Sequence, residues 1–321
     1  MSIRVGVIGA GAMGTAVAQT VAPNASVLIY ARREEICDDI NNFNVNSQYF
    51  PNVKLHENVK SVCDLNDLED VEIVFLCIPS SVMREMVNNL NKIVNNECIF
   101  VSTAKGIENG TNKTMSTIIK EITDRDPVAF SGPNIASEMV KSLSASTTIA
   151  CENEDYLNKV KSVLVTDSFK VNANTDVIGT EYCGIIKNVV AISQGICEGM
   201  DINNNAKFAV FTKSYNETKD IIEKLGGKRD TVDDYCGFGD IVTASTLTVS
   251  RNHTLGVLSG QGIVVDEKAS GVLFEGKNTT KILKNICDEL NINSLTVDFV
   301  YDVIINQINP KIAFYKLWEQ L

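Results

Sequence analysis

The chain has 321 residues, of which 44% are hydrophobic, with a mean hydropathy of +0.03. Its 29 basic and 40 acidic residues give a net charge of −11 at pH 7, which argues against nucleic acid or an anionic membrane as its partner. The length favours two domains. No apolar run reaches the ~18 to 20 residues of a spanning helix, so we expect no integral membrane association.

Cysteine and histidine usage suggests a reduced, metal-free protein. Nine cysteines are scattered singly without a C-x-x-C motif, which is typical of reduced core thiols in a cytosol. The chain enters a predicted strand at Ile3, leaving no room for a signal or transit peptide, so we expect a cytoplasmic location. His56 and His253 are too few for a zinc cluster, and we predict no metal site.

The first motif is a glycine-rich turn. Residues 3–8 (IRVGVI) predict a buried strand, residues 9–14 (GAGAMG) follow at once, and a helical pattern runs from Thr15 to Val21. A G-x-G-x-x-G turn between strand and helix is the dinucleotide-binding fingerprint. The expected roles are a tight turn at Gly9, close approach of a diphosphate at Gly11 and close helix–strand packing at Gly14. The alternative is a purely structural turn.

The second predicted strand, Val27 to Ala31, bears on cofactor choice because it ends in Arg32 and Arg33. An acidic residue there would hold the ribose 2′-hydroxyl of NAD, whereas arginine accommodates the 2′-phosphate of NADP. We therefore expect NADPH to serve at least as well as NADH. Two solvated surface arginines are the alternative.

Strand and helix patterns alternate through the rest of the first half. Near-continuous apolar strands that alternate with helices indicate a doubly wound, mainly parallel sheet of the Rossmann type, with helices on both faces. The predicted helices are Glu34–Asn41 and Val82–Ile93, the latter capped by a serine; the predicted strands are Val53–Leu55, Val71–Ile78, Cys98–Thr103, Pro127–Phe130, Ser144–Cys151 and Phe169–Asn172.

Polar loops follow three of these strands, at the edge of the sheet where ligands bind, and the first is Pro79-Ser80-Ser81 after Val71–Ile78. Lys105 comes shortly after the strand Cys98–Thr103, and residues 131–138 (SGPNIASE) follow the next strand. Lys105 therefore points to the ligand crevice, although a loop lysine in water is the alternative.

After Asn172 only helical patterns are found, so we predict a dinucleotide-binding domain at 1–176 and an all-helical substrate domain at 177–321. The predicted helices are Glu181–Glu198, Asn205–Leu225, Asp240–Val249, Thr254–Ser259, Lys277–Leu290, Leu295–Ile305 and a tail through Trp318.

The helix in Gly179–Gly199 is apolar almost all round, which predicts burial. Its one different stripe carries small residues that admit another backbone or a ligand, together with a lysine and an asparagine: Gly184, Lys187, Asn188, Ala191 and Gly195. A buried ammonium group is costly unless it is paired or neutralised. We therefore interpret Lys187 as a group that handles a proton or an anion; the alternative is a side chain that extends along the helix to water.

Three further polar sites lie in the helical half. Gly237-Phe238-Gly239-Asp240 is typical of a turn, and Asp240 is either a helix cap or a site residue. Ser250-Arg251-Asn252 combines a cap with a guanidinium group at a helix start, a good place for a phosphate. Glu275 is predicted in a loop before the helix from Lys277, facing either solvent or the site.

Taken in order, these stretches resemble the NAD(P)-dependent glycerol-3-phosphate dehydrogenases. They are GAGAMGTAVA, STAKGIE, SGPNIASE, GTEYCGIIKNVVAISQGICEG, NNNAK, GFGDIVTA, SRN and FEGK, and they run from residue 9 to residue 278. The resemblance implies a Rossmann-type domain followed by a helical domain of the 6-phosphogluconate-dehydrogenase kind. It also implies reversible hydride transfer between NADPH or NADH and C2 of dihydroxyacetone phosphate, giving sn-glycerol 3-phosphate for glycerophospholipid synthesis. A homodimer is expected.

The resemblance also assigns roles to residues. It implies that Lys187 is the proton donor and that Asp240 and Asn188 orient it. Substrate-binding positions are Lys105, Gly132, Asn134, Asn188, Ser250, Arg251 and Asn252. Cofactor-binding positions are Gly9, Gly11, Ala12, Met13, Gly14, Arg32, Lys105, Ala136, Arg251 and Glu275.

Two positions depart from the family pattern. Ala12-Met13 replaces a serine followed by an aromatic residue, and Ala244 stands where many members have threonine. Two other functions stay open on the residues alone. One is a 3-hydroxyacid dehydrogenase of the same architecture, which would select a carboxylate rather than a phosphate; the other is a non-catalytic nucleotide sensor, which would not need Lys187, Asp240 and Arg251 together.

Overall fold

The computed structural model describes residues 2–247, 250–265 and 274–321. The chain divides into two compact units, Met1–Val177 and Ile178–Leu321. The first unit is an α/β domain and the second is helical. Within the described residues, no helix combines the length and the apolar character needed to cross a bilayer, and no group of three or more metal-ligating side chains could hold an ion.

The first unit is built on an eight-stranded sheet in the order β3-β2-β1-β4-β5-β6-β7-β8. All neighbouring strands are parallel except β6 and β7, which are antiparallel. The strands are β1 Ile3–Ile8, β2 Ala25–Tyr30, β3 Val59–Val62, β4 Ile73–Leu76, β5 Ile99–Ser102, β6 Val128–Ser131, β7 Ala145–Ala150 and β8 Phe169–Asn174; the helices are α1 Ala12–Val21, α2 Glu34–Phe43, α3 Met83–Leu90, α4 Met115–Thr123, α5 Ala136–Met139 and α6 Glu154–Leu164. The predicted Rossmann-type sheet is confirmed.

Burial on both faces explains why the central strands are apolar without interruption. Along β4, Ile73 and Phe75 pack into the core on one face of the sheet, and Val74 and Leu76 pack into the core on the other. Side chains alternate between the two faces of a strand, so a strand covered by helices on both sides needs apolar residues at every position.

One predicted strand is wrong. Residues Val53–Leu55 are irregular, with the Leu55 N–H donating to the Asn44 carbonyl oxygen at 2.7 Å, and the strand lies instead at Val59–Val62. Leu55 is buried in the core although it is not in a strand. The short apolar run therefore predicted burial correctly but predicted the strand incorrectly.

The predicted serine cap near residue 80 is also wrong. A 3₁₀ turn at Ser80–Val82 precedes α3, and no side chain of the described residues caps either element. The helix α4, which the sequence analysis did not predict, is capped by Thr114.

The expectation that all nine cysteines are free thiols is wrong for two of them. Cys37 and Cys63 form a disulfide that links α2 to the segment after β3. The other seven cysteines are free, and six of these are buried.

Within its described residues, the second unit is built from α-helices. They are α7 Val177–Gly199, which begins at the unit boundary, α8 Asn204–Lys224, α9 Asp240–Thr246, α10 Arg251–Gly260, α11 Glu275–Glu289, α12 Leu295–Ile304 and α13 Pro310–Trp318. Gly226 adopts a φ of +92° after α8, which agrees with the predicted glycine stop. The predicted end of α9 at Val249 lies outside the described residues. Glu275 is the first residue of α11, not part of a loop before it.

Small residues bring α7 and α10 into close contact. A Cβ atom added to Gly195 would lie 2.2 Å from the His253 carbonyl oxygen, and one added to Gly256 would lie 2.2 Å from the Ile192 carbonyl oxygen. Since no real side chain tolerates such distances, the two helices approach backbone to backbone. The small-residue stripe predicted on α7 thus admits another helix.

Candidate active site

The glycine turn in the first unit has the geometry that its sequence predicts. Gly9 has a φ of +100°, and a Cβ atom added to Gly14 would lie 1.8 Å from the Gly9 carbonyl oxygen. A Cβ atom on Gly11 would meet no described atom within 4 Å. Gly9 and Gly14 are therefore required by the turn and the helix packing, while Gly11 leaves open space in front of the turn.

This open space suits a dinucleotide diphosphate. Gly11 is the N-cap of α1, no side chain of the described residues caps the helix, and its first turn carries no acidic residue. The first N–H groups are therefore open to an anion. Cys77 packs against Gly14, and burial raises the pKa of its thiol to about 12, so it adds no negative charge beside the site.

Arg32 and Arg33 are both exposed directly after β2. The Arg33 guanidinium contacts the Gln48 side-chain oxygen, whereas no hydrogen bond or ion pair to another described residue engages Arg32. Arg32 thus keeps its donors for a ligand, which supports the prediction that it is the arginine nearer to a 2′-phosphate.

Lys105 is held by a backbone carbonyl. Its ammonium nitrogen lies 2.8 Å from the Gly132 carbonyl oxygen, so the loops after β5 and β6 meet at this lysine. Gly132 is required here because an added Cβ atom would lie 2.9 Å from the Thr147 Cα atom. The sequence placed both residues at the sheet edge, and the structure adds the bond that joins them.

Asn134 and Ala136 lie on the same loop but differ in what they contribute. The Asn134 Nδ2 group donates to the Ser146 carbonyl oxygen at 3.1 Å, and its Oδ1 atom accepts from the Thr147 hydroxyl at 3.2 Å. Both ends of the amide are therefore used to fasten the loop to β7. Ala136 begins α5 and is half-buried.

Lys187 forms the central ion pair of the second unit. Its ammonium nitrogen lies 2.6 Å from the Asp240 Oδ1 atom, with the lysine side chain 15% exposed and the aspartate side chain 2% exposed. The pairing explains how α7 tolerates a lysine, because a buried charge needs an opposite charge. Asn188 is buried beside it.

Asp240 is not the helix cap that one interpretation proposed. The preceding residues, Tyr235–Gly239, form a π-helical turn that runs directly into α9, so Gly239 holds the N-cap position and Asp240 is the first residue of the helix. Its carboxylate faces Lys187 instead. At the position of the second family departure, Ala244 is buried, and the neighbouring Thr243 hydroxyl donates to the Gly239 carbonyl oxygen within its own helix.

The start of α10 has the predicted form. The Ser250 hydroxyl accepts from the His253 N–H at 3.3 Å and so caps the helix, leaving the Arg251 side chain exposed at its first position. The Asn252 Oδ1 atom accepts from the Gly276 N–H at 3.1 Å. A Cβ atom added to Gly276 would lie 2.7 Å from both the Asn252 Oδ1 atom and the Ile192 Cδ1 atom, so within the second unit α7, α10 and the start of α11 with Glu275 meet around Asn252.

Two features near these sites escaped the sequence analysis. Arg84 on α3 makes two 2.8 Å hydrogen bonds to the Glu108 carboxylate, in the loop that carries Lys105, and this pairing lowers the pKa of Glu108 to about 2. Asn46, in a polar stretch without periodicity, is fully buried against the glycine turn. Neither has a local signature, because the partners lie 24 to 36 residues away.

Comparison with known proteins covers almost the entire chain. Residues 4–157 match the family model for the N-terminus of NAD-dependent glycerol-3-phosphate dehydrogenase, and residues 176–315 match the model for its C-terminus. Glycerol-3-phosphate dehydrogenase (NAD(P)+) of Clostridium botulinum (strain Eklund 17B / Type B) is 33% identical, over 98% of this chain and 96% of that protein. The enzyme of the same name from Halothermothrix orenii is 33% identical, over 99% and 95%.

A solved structure agrees in both fold and sequence. The crystal structure of glycerol-3-phosphate dehydrogenase from Coxiella burnetii superposes with a TM-score of 0.89 at 27% identity, covering 99% of each chain. The two family models together, and relatives above 30% identity over nearly the full length, agree on one protein family. The chain belongs to the NAD-dependent glycerol-3-phosphate dehydrogenase family and is an oxidoreductase.

Proposed function

We propose that this protein catalyses the reversible NAD(P)H-dependent reduction of dihydroxyacetone phosphate to sn-glycerol 3-phosphate. The observation that carries the proposal is the Lys187–Asp240 ion pair, a 2.6 Å contact in which the carboxylate is almost fully buried. Such a pair fixes an ammonium group in one position, which is what a proton donor to a ketone oxygen requires.

The cofactor is NAD(P), and the glycine turn at 9–14 would hold its diphosphate. The bound nicotinamide supplies the hydride for C2 of the ketone. Gly11 leaves the space and α1 the free N–H groups, and Ala12 and Met13, the first residues of α1, are neighbouring proposed cofactor positions. Arg32 would bind a 2′-phosphate, and Ala136 and Glu275 are further proposed cofactor positions.

Lys187 would donate a proton to the alkoxide that forms at C2 and would take it back in the reverse direction. Asp240 orients the ammonium group and compensates its charge, and Asn188 supports it from the next position of α7. General acid catalysis of this kind contributes roughly 10²- to 10⁴-fold to the rate.

The substrate phosphate would be bound by Arg251, because a guanidinium group forms charged, bidentate hydrogen bonds to a phosphate. Ser250 and Asn252 fix the start of α10, since one caps the helix and the other accepts from Gly276. In the first unit, Lys105, which donates to the Gly132 carbonyl oxygen, is a proposed substrate-binding residue, and Asn134 fastens the neighbouring loop.

The decisive experiment is an assay of reduced-cofactor oxidation with dihydroxyacetone phosphate and with a panel of 2- and 3-ketoacids. We expect rapid oxidation with dihydroxyacetone phosphate alone. Preference for a ketoacid would favour the hydroxyacid dehydrogenase, and cofactor binding without turnover on any substrate would favour the sensor.

We also propose a cytoplasmic homodimer, acting on a phosphorylated triose and supplying lipid synthesis. Six buried free thiols are typical of a reducing compartment, to which the Cys37–Cys63 disulfide is an exception. Support for self-association comes from α13, where the side chains of Ile312, Tyr315 and Trp318 are 44 to 67% exposed. Sedimentation of wild type and a Tyr315→Glu variant would test the dimer; a monomeric wild type would contradict it.

A further inference from the structure

We infer that Asn46 is a positioning residue for the diphosphate-binding turn, which it holds in its binding-competent form through the Ala10 carbonyl. The inference rests on the proposed role of residues 9–14 in cofactor binding. Asn46 lies 32 residues beyond the glycine motif, in the polar segment between α2 and β3.

The side-chain amide of Asn46 forms hydrogen bonds at both ends of the glycine turn. The Asn46 Nδ2 atom donates to the Ala10 carbonyl oxygen at 3.0 Å and to the Thr15 hydroxyl at 2.8 Å. Ala10 lies between Gly9 and Gly11, and Thr15 directly follows Gly14. Asn46 and Thr15 are both fully buried, so water does not compete for these bonds.

The backbone of Asn46 is itself fixed, so the amide is already in place before a ligand binds. Its carbonyl oxygen accepts from the N–H groups of Phe50 at 2.8 Å and Tyr49 at 3.2 Å. Two residues earlier, Asn44 ends α2 with a φ of +53°, which turns the chain towards α1.

The other end of the amide indicates that asparagine is not present simply to stabilise the fold. The Asn46 Oδ1 atom is buried and has no hydrogen-bond partner among the described residues. An unsatisfied buried acceptor costs free energy that an apolar residue of similar shape would not cost. The benefit must therefore come from the donor side, which faces the turn.

That benefit is electrostatic as well as geometric. A carbonyl oxygen is the negative end of its peptide, and an anion is bound by the N–H ends of the turn and helix. By holding the Ala10 carbonyl in a buried hydrogen bond, Asn46 keeps that oxygen from facing the diphosphate. The turn then presents its N–H groups without reorganisation when the cofactor binds.

The chain offers a matched control. The same segment is tied to α1 further from the turn, where the Gln19 Oε1 atom accepts from the His56 N–H at 2.8 Å. Gln19→Ala removes one partly buried hydrogen bond between this segment and α1 without touching the glycine motif. It should lower the melting temperature but leave cofactor affinity unchanged.

The test is the dissociation constant for NADPH, measured by fluorescence titration of the full-length protein. We expect Asn46→Ala to raise it on the order of tenfold, the scale of lost hydrogen bonds, with kcat at saturating NADPH within about twofold of wild type. The affinity for ADP-ribose, which carries the diphosphate, should fall in parallel. The affinity for adenosine 2′-monophosphate, which lacks the diphosphate, should not change.

A second variant covers the case in which Asn46→Ala does not fold. Asn46→Leu keeps the side-chain volume and removes the unsatisfied oxygen, so it should fold and still bind NADPH more weakly. Unchanged NADPH affinity in the folded variant, or an equal loss in Gln19→Ala, would overturn the inference. A wild type that binds NADPH but does not reduce dihydroxyacetone phosphate would instead contradict only the proposed reaction.

Discussion

The two units of this protein each hold a lysine at a proposed site, but they hold it in different ways. In the first unit Lys105 donates to a neutral backbone carbonyl, that of Gly132, at 2.8 Å. In the second unit Lys187 is paired with the buried carboxylate of Asp240 at 2.6 Å. A carbonyl orients an ammonium group without neutralising its charge, whereas a carboxylate both orients and compensates it.

The difference matches the two proposed tasks. An ammonium group oriented by a carbonyl can donate a hydrogen bond to a phosphate, whereas an ammonium group held against a carboxylate is fixed in one position for proton transfer to a substrate oxygen. In the proposed function, the first unit would bind its ligand mainly through backbone groups at the glycine turn, while the second unit would use charged side chains. Mutations in the two units should therefore change different measured quantities, namely ligand affinity and catalytic rate.

The largest effect is expected at Lys187. Lys187→Ala removes the proton donor and should lower kcat by ~10² or more, with cofactor affinity nearly unchanged. Steady-state kinetics and NADPH titration would measure both. Lys207→Ala is the control, because Lys207 pairs with Glu198 on the same unit and has no proposed role; it should keep wild-type kcat. Activity of Lys187→Ala within a few-fold of wild type would remove the basis of the comparison.

At Arg251 the effect should fall on substrate affinity. Arg251→Ala should raise KM for dihydroxyacetone phosphate roughly tenfold to a hundredfold, the value of a charged hydrogen bond. Trace activity on unphosphorylated dihydroxyacetone should hardly change, since that substrate has no phosphate to lose. Equal losses on both substrates would instead assign Arg251 to the cofactor.

In the first unit Arg32 should set cofactor preference. Arg32→Ala should weaken the binding of NADPH by ~1 to 3 kcal/mol and leave the binding of NADH almost unchanged. Arg33→Ala is the matched control, since Arg33 already contacts Gln48, and it should have the smaller effect. A wild-type kcat/KM tenfold or more in favour of NADH would show that both arginines are surface charges.

The smallest effect concerns the loop that carries Lys105. Because the Arg84 guanidinium lowers the pKa of Glu108 from its ordinary 4.5 to about 2, the ionised pair stabilises the fold above pH 4.5. That stabilisation should fade as the pH falls from 4.5 towards 2. Since Arg84 is one-third exposed, we expect on the order of 1 kcal/mol.

The measurement is the melting temperature of wild type and Glu108→Gln between pH 7 and pH 3. The variant should melt at a lower temperature than wild type at pH 7, and this difference in melting temperature should become smaller below pH 4.5. A difference in melting temperature that does not depend on pH would mean that the packing of the Glu108 side chain, and not its charge, fixes this loop.

Features confined to a short stretch could be predicted from the sequence alone. The glycine turn was predictable because a strand, three glycines and a helix follow one another within 19 residues. The buried helix around Lys187 was predictable because helical periodicity is a local property. In both cases the physical cause lies among neighbours in the chain.

Features that join distant residues were decided by the tertiary structure. Asp240 lies 53 residues from Lys187, and its role as ion-pair partner rather than cap depends on how α9 meets α7. The place of β3, the Cys37–Cys63 disulfide and the Asn46 contact with the glycine turn likewise depend on chain packing. Residue type and local periodicity predict which side chains are buried, but the partner of a buried polar group is set only when separate elements pack together.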